Sequence, residues 1–154
     1  IELLVVVLIV GILAAAAQPY YQTAVDKSRF APYAALAENI RRAQEVYYMA
    51  NGTYADDLEM LDVSWPASCR TNNANMVSCS DGVLFNHHRG TDDRLFVILC
   101  PGQGKVSWAT CSQYTATAYV VLYYAHSSTR PNGSGCSFPA SSSRGKRLCK
   151  ALGY

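Results

Sequence analysis

Three groups of residues in this 154-residue chain have types and spacings that bear on chemistry. The first is one carboxylate, Glu2, inside the apolar run IELLVVVLIVGILAAAA. A carboxylate among aliphatic side chains costs several kcal/mol unless it is paired or sits at a membrane surface, so Glu2 requires a cation. Its own segment supplies none: Lys27 lies 25 residues on, roughly 37 Å along a helix. The partner must come from another molecule, the headgroup region or a terminal amine.

The second group is six cysteines, at positions 69, 79, 100, 111, 136 and 149, none in a C-x-x-C pair or at zinc-finger spacing. An even number in a small domain favours disulfides and an oxidising compartment. The short gaps suggest the sequential pairing Cys69–Cys79, Cys100–Cys111 and Cys136–Cys149, each closing a local loop. The third group is Arg144, Lys146, Arg147 and Lys150, four positive charges within seven residues. They are the candidate contact for DNA or another anion, although a net charge of +2 argues for an ordinary solvated surface.

Other constellations carry less. Gly102, Gln103, Gly104 and Lys105 lack the spacing and the hydroxyl residue of a phosphate loop. His87 and His88 beside Asp92 and Asp93 have metal-ligand types, but neighbours on a strand face opposite ways, so a surface loop is expected. With no nucleophile-elbow or haem-attachment motif either, the expectation is no enzyme, no metal and no cofactor. Asn51 and Asn132 head N-glycosylation patterns, and Ser128, Thr129 and Ser142 lie in serine- and threonine-rich stretches that suit O-glycans. Eleven tyrosines, among them Tyr20, Tyr21, Tyr33, Tyr47 and Tyr48, read as packing residues rather than as an electron path.

The elements that must position these groups follow from composition. Half the chain is hydrophobic and 16% is charged, with a mean hydropathy near zero. That average conceals one apolar segment, residues 1–17, joined to an ordinary soluble remainder. No basic residue precedes the segment and no cleavage signal follows it, so it is expected to be retained as a membrane helix rather than removed. Tyr33, Leu36, Ile40, Ala43, Tyr47 and Ala50 recur every three or four residues and define one helix face. Glu38, Arg41, Arg42 and Glu45 define the other, with Glu38–Arg42 and Arg41–Glu45 as i,i+4 pairs.

Asn51 and Gly52 give the stop, so residues 1–51 read as one helix of about 75 Å. Gly11 and Pro19 weaken it, which predicts kinking or local melting between them, and Pro32 predicts a bend. Residues 53–80 read as loop with a short helical turn near 56–61. Strand-like runs occupy 83–85, 94–99 and 119–124, with a fourth at 105–109. The economical fold is α+β: a long hydrophobic N-terminal helix packed against a small antiparallel β-sheet. Its expected units are a core helix at 1–24, an amphipathic continuation at 25–52 and a disulfide-stapled head at 53–154.

The N-terminal residues, with Pro19, Tyr20, Tyr21 and Gln22 behind the apolar run, closely resemble the start of type IV pilins and pseudopilins. Members of that family carry a Phe-Thr-Leu-Ile-Glu motif after a cleaved leader, and the new amino terminus is methylated. On that pattern the chain starts three residues inside a mature protein, and restoring them extends the apolar run to about 20 residues, enough to span a bilayer. The resemblance implies that Glu2 pairs with the amine of a neighbouring subunit and that Gly11 and Pro19 mark a stretch that extends on packing.

It further implies a homopolymer held in the inner membrane before assembly and a cell-surface pilus afterwards. Separate assembly machinery would power it, with roles in adhesion, motility or DNA uptake on DNA, host or surface ligands. The alternatives are the major pseudopilin of a type II secretion system and, in another class, a membrane-anchored DNA-binding or ligand-binding domain.

Overall fold

The computed structural model describes residues 2–88, 92–100, 111 and 116–154. Helix α1, Glu2–Asn51, runs for 50 residues without a break. It continues through Pro19 and Pro32, so the melting expected between Gly11 and Pro19 is not a property of the isolated subunit. Thr23 lies one turn past Pro19, and its Oγ1 donates to the Pro19 carbonyl at 2.8 Å. The helix stops where the sequence says it should. Gly52 takes a left-handed φ of 72° and its N–H donates to the Tyr48 carbonyl at 2.8 Å, a glycine cap that only a residue without Cβ adopts cheaply.

A six-stranded antiparallel meander follows: β1 Arg70–Asn73, β2 Met76–Ser78, β3 Gly82–His87, β4 Arg94–Leu99, β5 Ala118–Tyr123 and β6 Ser134–Ser137, adjacent in chain order. The expected strands at 83–85, 94–99 and 119–124 lie within or alongside β3, β4 and β5, whereas the one at 105–109 lies outside the described residues. The reading of 53–80 as loop is corrected: after a 3-10 turn at Leu58–Met60 it holds β1 and β2. Asn72, Asn73, Ala74 and Asn75 carry no strand propensity. What holds this hairpin is its pairing with β3 and the Cys69–Cys79 bridge across its base.

The C-terminal stretch contains β6 and helix α2, Ser143–Ala151. Ser142 caps α2, its hydroxyl accepting from the Gly145 N–H at 2.9 Å. The Cys136–Cys149 bridge, with Cα atoms 5.6 Å apart, pins α2 to β6. Gly145 is where α2 comes closest to the sheet: a Cβ there would collide with the Thr117 carbonyl and lie 2.6 Å from the Phe138 Cβ. Replacing Cys136 and Cys149 with serine should lower stability by about 2–4 kcal/mol, read as a lower thermal midpoint, with α2 fraying first in hydrogen exchange.

The core lies between α1 and the inner face of the sheet. Phe30, Tyr33, Leu36, Ala37 and Ile40 pack on Leu84, Leu95, Val97, Leu99 and Val120, with Leu148 of α2 closing one end. The outer face carries a second apolar cluster, Met76, Val83, Ile98, Cys100, Cys111 and Ala116, flanked by Phe85, Phe96 and Tyr119.

The face that periodicity predicts packs on the core: Tyr33, Leu36 and Ile40 are buried and Ala43 and Tyr47 are half-buried against it, while Ala50 is exposed. A fully buried line beside it runs Asp26, Phe30, Tyr33, Ala37, Ile40, Gln44, alternating four and three. Two of its six members are polar, which an apolar template passes over. The Arg41–Glu45 pair is also corrected. Arg41 reaches back to Glu38 at 2.7 Å, and Glu45 turns to the head, accepting from the Tyr54 hydroxyl at 3.0 Å and the Ala125 N–H at 2.8 Å. Arg42 stays near Glu38 at 3.7 Å, and the Arg41 hydrogen bond holds the Glu38 carboxyl below the usual range.

Candidate functional site

Two surfaces compete for a functional role, the free half of α1 and the head that caps it. Along α1 the side chains from Leu3 to Leu13 lie bare, with Leu3 79% exposed and even Val5 49% exposed. By length and composition this helix can cross a membrane. Burial repays about 25 cal/mol for each Å² of apolar surface removed from water, so a continuous stripe of this kind does not remain in water. Such a surface calls for an apolar cover. Glu2 begins the helix, and Gly11 lies within the stripe with nothing near where its Cβ would be, so a neighbouring backbone can approach closely there.

The head is fixed to this helix by polar contacts that periodicity does not reveal. Asp26, 1% exposed, receives two parallel hydrogen bonds from Arg144 of α2, Nε to Oδ2 at 2.6 Å and Nη2 to Oδ1 at 2.7 Å. This fork joins residues 118 apart in sequence, and Asp26 in turn raises the Arg144 pKa above its ordinary value. Arg144 is therefore occupied as an anchor. Of the remaining basic candidates Lys146 and Lys150 are exposed, while Arg147 is half-buried. Of the four charges offered as a candidate anion contact, Arg144 is held by Asp26, and Lys146 and Lys150 face solvent as an ordinary surface would.

Further up α1, the Gln44 side chain pairs with both backbone groups of Ala55 at 2.9 Å. Asn86 also donates to the Ala55 carbonyl and accepts from the Tyr124 hydroxyl at 2.6 Å. Tyr54 packs tilted on Tyr48 and on Tyr124, with ring centroids 4.7 Å apart in each case. These rings knit helix to sheet, while Tyr20 and Tyr21 stand exposed on the stalk.

Burial raises the Tyr54 and Tyr124 phenols above the ordinary tyrosine value. Both bind their protons more tightly folded than unfolded, so their stabilisation is complete below pH ~10 and is lost as pH rises beyond it. Thermal midpoints should thus fall above pH ~10. Tyr124→Phe should flatten that fall at a cost of about 1 kcal/mol near neutrality, because Asn86 loses its donor.

His87 ends β3, while His88, Asp92 and Asp93 lie in the connection to β4, where 89–91 fall outside the described residues. Asp93 is 5% exposed and contacts His88 Nδ1, while His87 Nδ1 lies 3.3 Å from the Asp92 carbonyl oxygen. The two histidines use different partners, and among the described residues no group of three metal-ligating side chains converges.

The glycan candidates sit where the chain turns. Asn51 ends α1 and donates to the Tyr47 carbonyl at 3.0 Å. Asn132 takes a φ of 55° in the β5–β6 turn and lies 3.4 Å from Arg41 Nη1. Ser128 is exposed, Thr129 donates to Asp92 at 3.1 Å, and Ser142 is committed to capping α2.

Comparison with known proteins gives one informative likeness. The chain is 33% identical over 84 residues, 54% of its length, to the type IV major pilin protein PilE of Neisseria gonorrhoeae. The alignment spans 50% of that protein's own length. No family model matches the chain, and no solved structure matches it. A bare apolar helix opening on Glu2 continues under an antiparallel sheet, an α+β arrangement, and over about half its length the chain is similar to that major pilin.

Proposed function

We propose that this chain is a structural subunit that polymerises into a type IV pilus. It waits in the inner membrane through α1 and becomes a surface filament once extracted by separate assembly machinery. The observation that carries this reading is the uncovered stripe from Leu3 to Leu13 on a helix whose other half is already packed under a head. The stripe is an association surface that lipid protects until other copies replace it. On this reading Glu2 is an assembly residue, paired with the amino terminus of the next subunit, and the protein has no catalytic role of its own.

The stretch between Gly11 and Pro19 is the place for the helix to extend when subunits pack. The isolated helix is continuous there, and Pro19 removes one backbone donor. Three disulfides suit a filament outside the cell, where no reductant maintains thiols.

Electron microscopy of material sheared from cells should show long thin filaments that react with antibody to the head. Short fibres confined to the periplasm would instead identify a secretion pseudopilus. Bare cells and a strictly monomeric membrane protein would overturn polymerisation altogether.

A further inference from the structure

The outer face of the sheet holds a shallow groove of about 320 Å³ that the assembly reading does not use. Its floor follows from register. Val121 on β5 pairs with Phe96 on β4 and with Gly135 on β6, while Tyr119 and Tyr123 stand on the same face, two positions to either side of Val121. Strand rise sets the two tyrosines about 13 Å apart. The result is a trough between two phenol rings.

Gly135 is the informative residue. A Cβ built on it would meet nothing closer than Arg130 Nη1 at 3.6 Å, an ordinary contact, and its φ is not in the left-handed region. The fold therefore does not demand glycine there, although glycine weakens a strand interior, and such positions recur where a ligand approaches the backbone. Above it hangs the Arg130 guanidinium, which makes no ion pair among the described residues. Arg94 lies 4.9 Å over the Phe96 ring, and Asp92, at 3.1 Å from Nη2, occupies part of its fork.

We infer that this groove binds one acidic saccharide unit, with the carboxylate taken by Arg130 and Arg94 and the sugar ring laid over Gly135 and Val121 between Tyr119 and Tyr123. Arginine presents paired donors that match a carboxylate, and aromatic faces accept the positively polarised C–H edges of a sugar. The volume is at the lower end for small-molecule sites, which suits a single ring. A nucleic acid fits less well. A polyanion needs a row of cations along its backbone, and the groove offers two guanidiniums, one already shared with Asp92.

The groove opens on the side of the sheet away from α1. If the helices bundle as proposed, this face stays outermost on the filament, and the inference rests on the assembly reading for that clause alone.

The test uses the full chain in detergent micelles, titrated with glucuronate and separately with glucose while the tyrosine ring signals are followed by NMR. Glucuronate should give saturable shifts of Tyr119 and Tyr123 with at least tenfold tighter binding than glucose. Arg130→Ala and Gly135→Val should each weaken glucuronate at least tenfold with an unchanged melting temperature, and Lys146→Gln should change nothing. Equal responses to the two sugars, no response to either, or full binding by Arg130→Ala would overturn the inference. So would displacement of glucuronate by an oligothymidylate whose binding falls steeply with salt and needs Lys146. Failure here leaves filament formation standing, and an absence of filaments leaves this result standing, because the subunit is measured unassembled.

Discussion

Cells carrying Glu2→Val should make no detectable filaments while holding normal amounts of subunit in the membrane. Valine is welcome in lipid, so insertion through the run that follows is preserved or improved. The loss falls on assembly. If Glu2 meets a neighbour's terminal amine inside the helix bundle, the variant leaves that amine buried without a partner. Breaking a buried pair in this way costs about 3–5 kcal/mol. Each 1.4 kcal/mol is a tenfold change in an association constant, so the subunit concentration needed for growth rises by roughly two to three orders of magnitude. Shear preparations compared by electron microscopy, with membrane fractions blotted in parallel, separate failed assembly from failed insertion. Normal filaments from this variant would remove Glu2 from the assembly mechanism.

Arg144→Ala should be strongly destabilising although it touches no core apolar side chain. It strands the Asp26 carboxylate at 1% exposure, without the two hydrogen bonds that Arg144 supplies. The Arg144 side chain is itself 38% exposed, so water screens the pair and the loss belongs near the lower end of the buried-pair range, about 3 kcal/mol. For a chain of this size that corresponds to a fall in thermal midpoint of very roughly 10 °C. The double variant Asp26→Leu with Arg144→Met removes both charges and should recover most of the loss. A double variant as unstable as Arg144→Ala would mean that shape, not charge, joins α2 to α1.

The sequence made the long helix, its glycine stop and the three central strands legible, because each rests on local patterning: an unbroken apolar run, Asn51 with Gly52, and β-branched stretches. What it concealed are elements held by remote partners. β1 contains Asn72 and Asn73, which argue for a turn, and it is a strand because it pairs with β2, itself held by β3 and the Cys69–Cys79 bridge. α2 is short and basic, and Arg144, Lys146, Arg147 and Lys150 look like a patch for an anion when seen alone. Only a folded chain shows that Asp26 is buried opposite Arg144, so a charge that reads as surface is an internal anchor. Asp26 and Gln44 fall on the heptad seam at the correct spacing. A search that admitted polar residues to the seam would have found them, whereas one for apolar periodicity selects Ala43 and Ala50 instead.

The meander topology also sets an order of events. Among the described residues each strand pairs with the next one along the chain, so the sheet can grow by closing one connection at a time, without long-range crossovers. Synthesis runs from the amino end, and Asp26 is therefore made early, while Arg144 lies only ten residues before the last residue described. Until α2 is made, the head lacks the cation that pairs with Asp26. A chain stalled before α2 should therefore stay more open than one that carries Arg144.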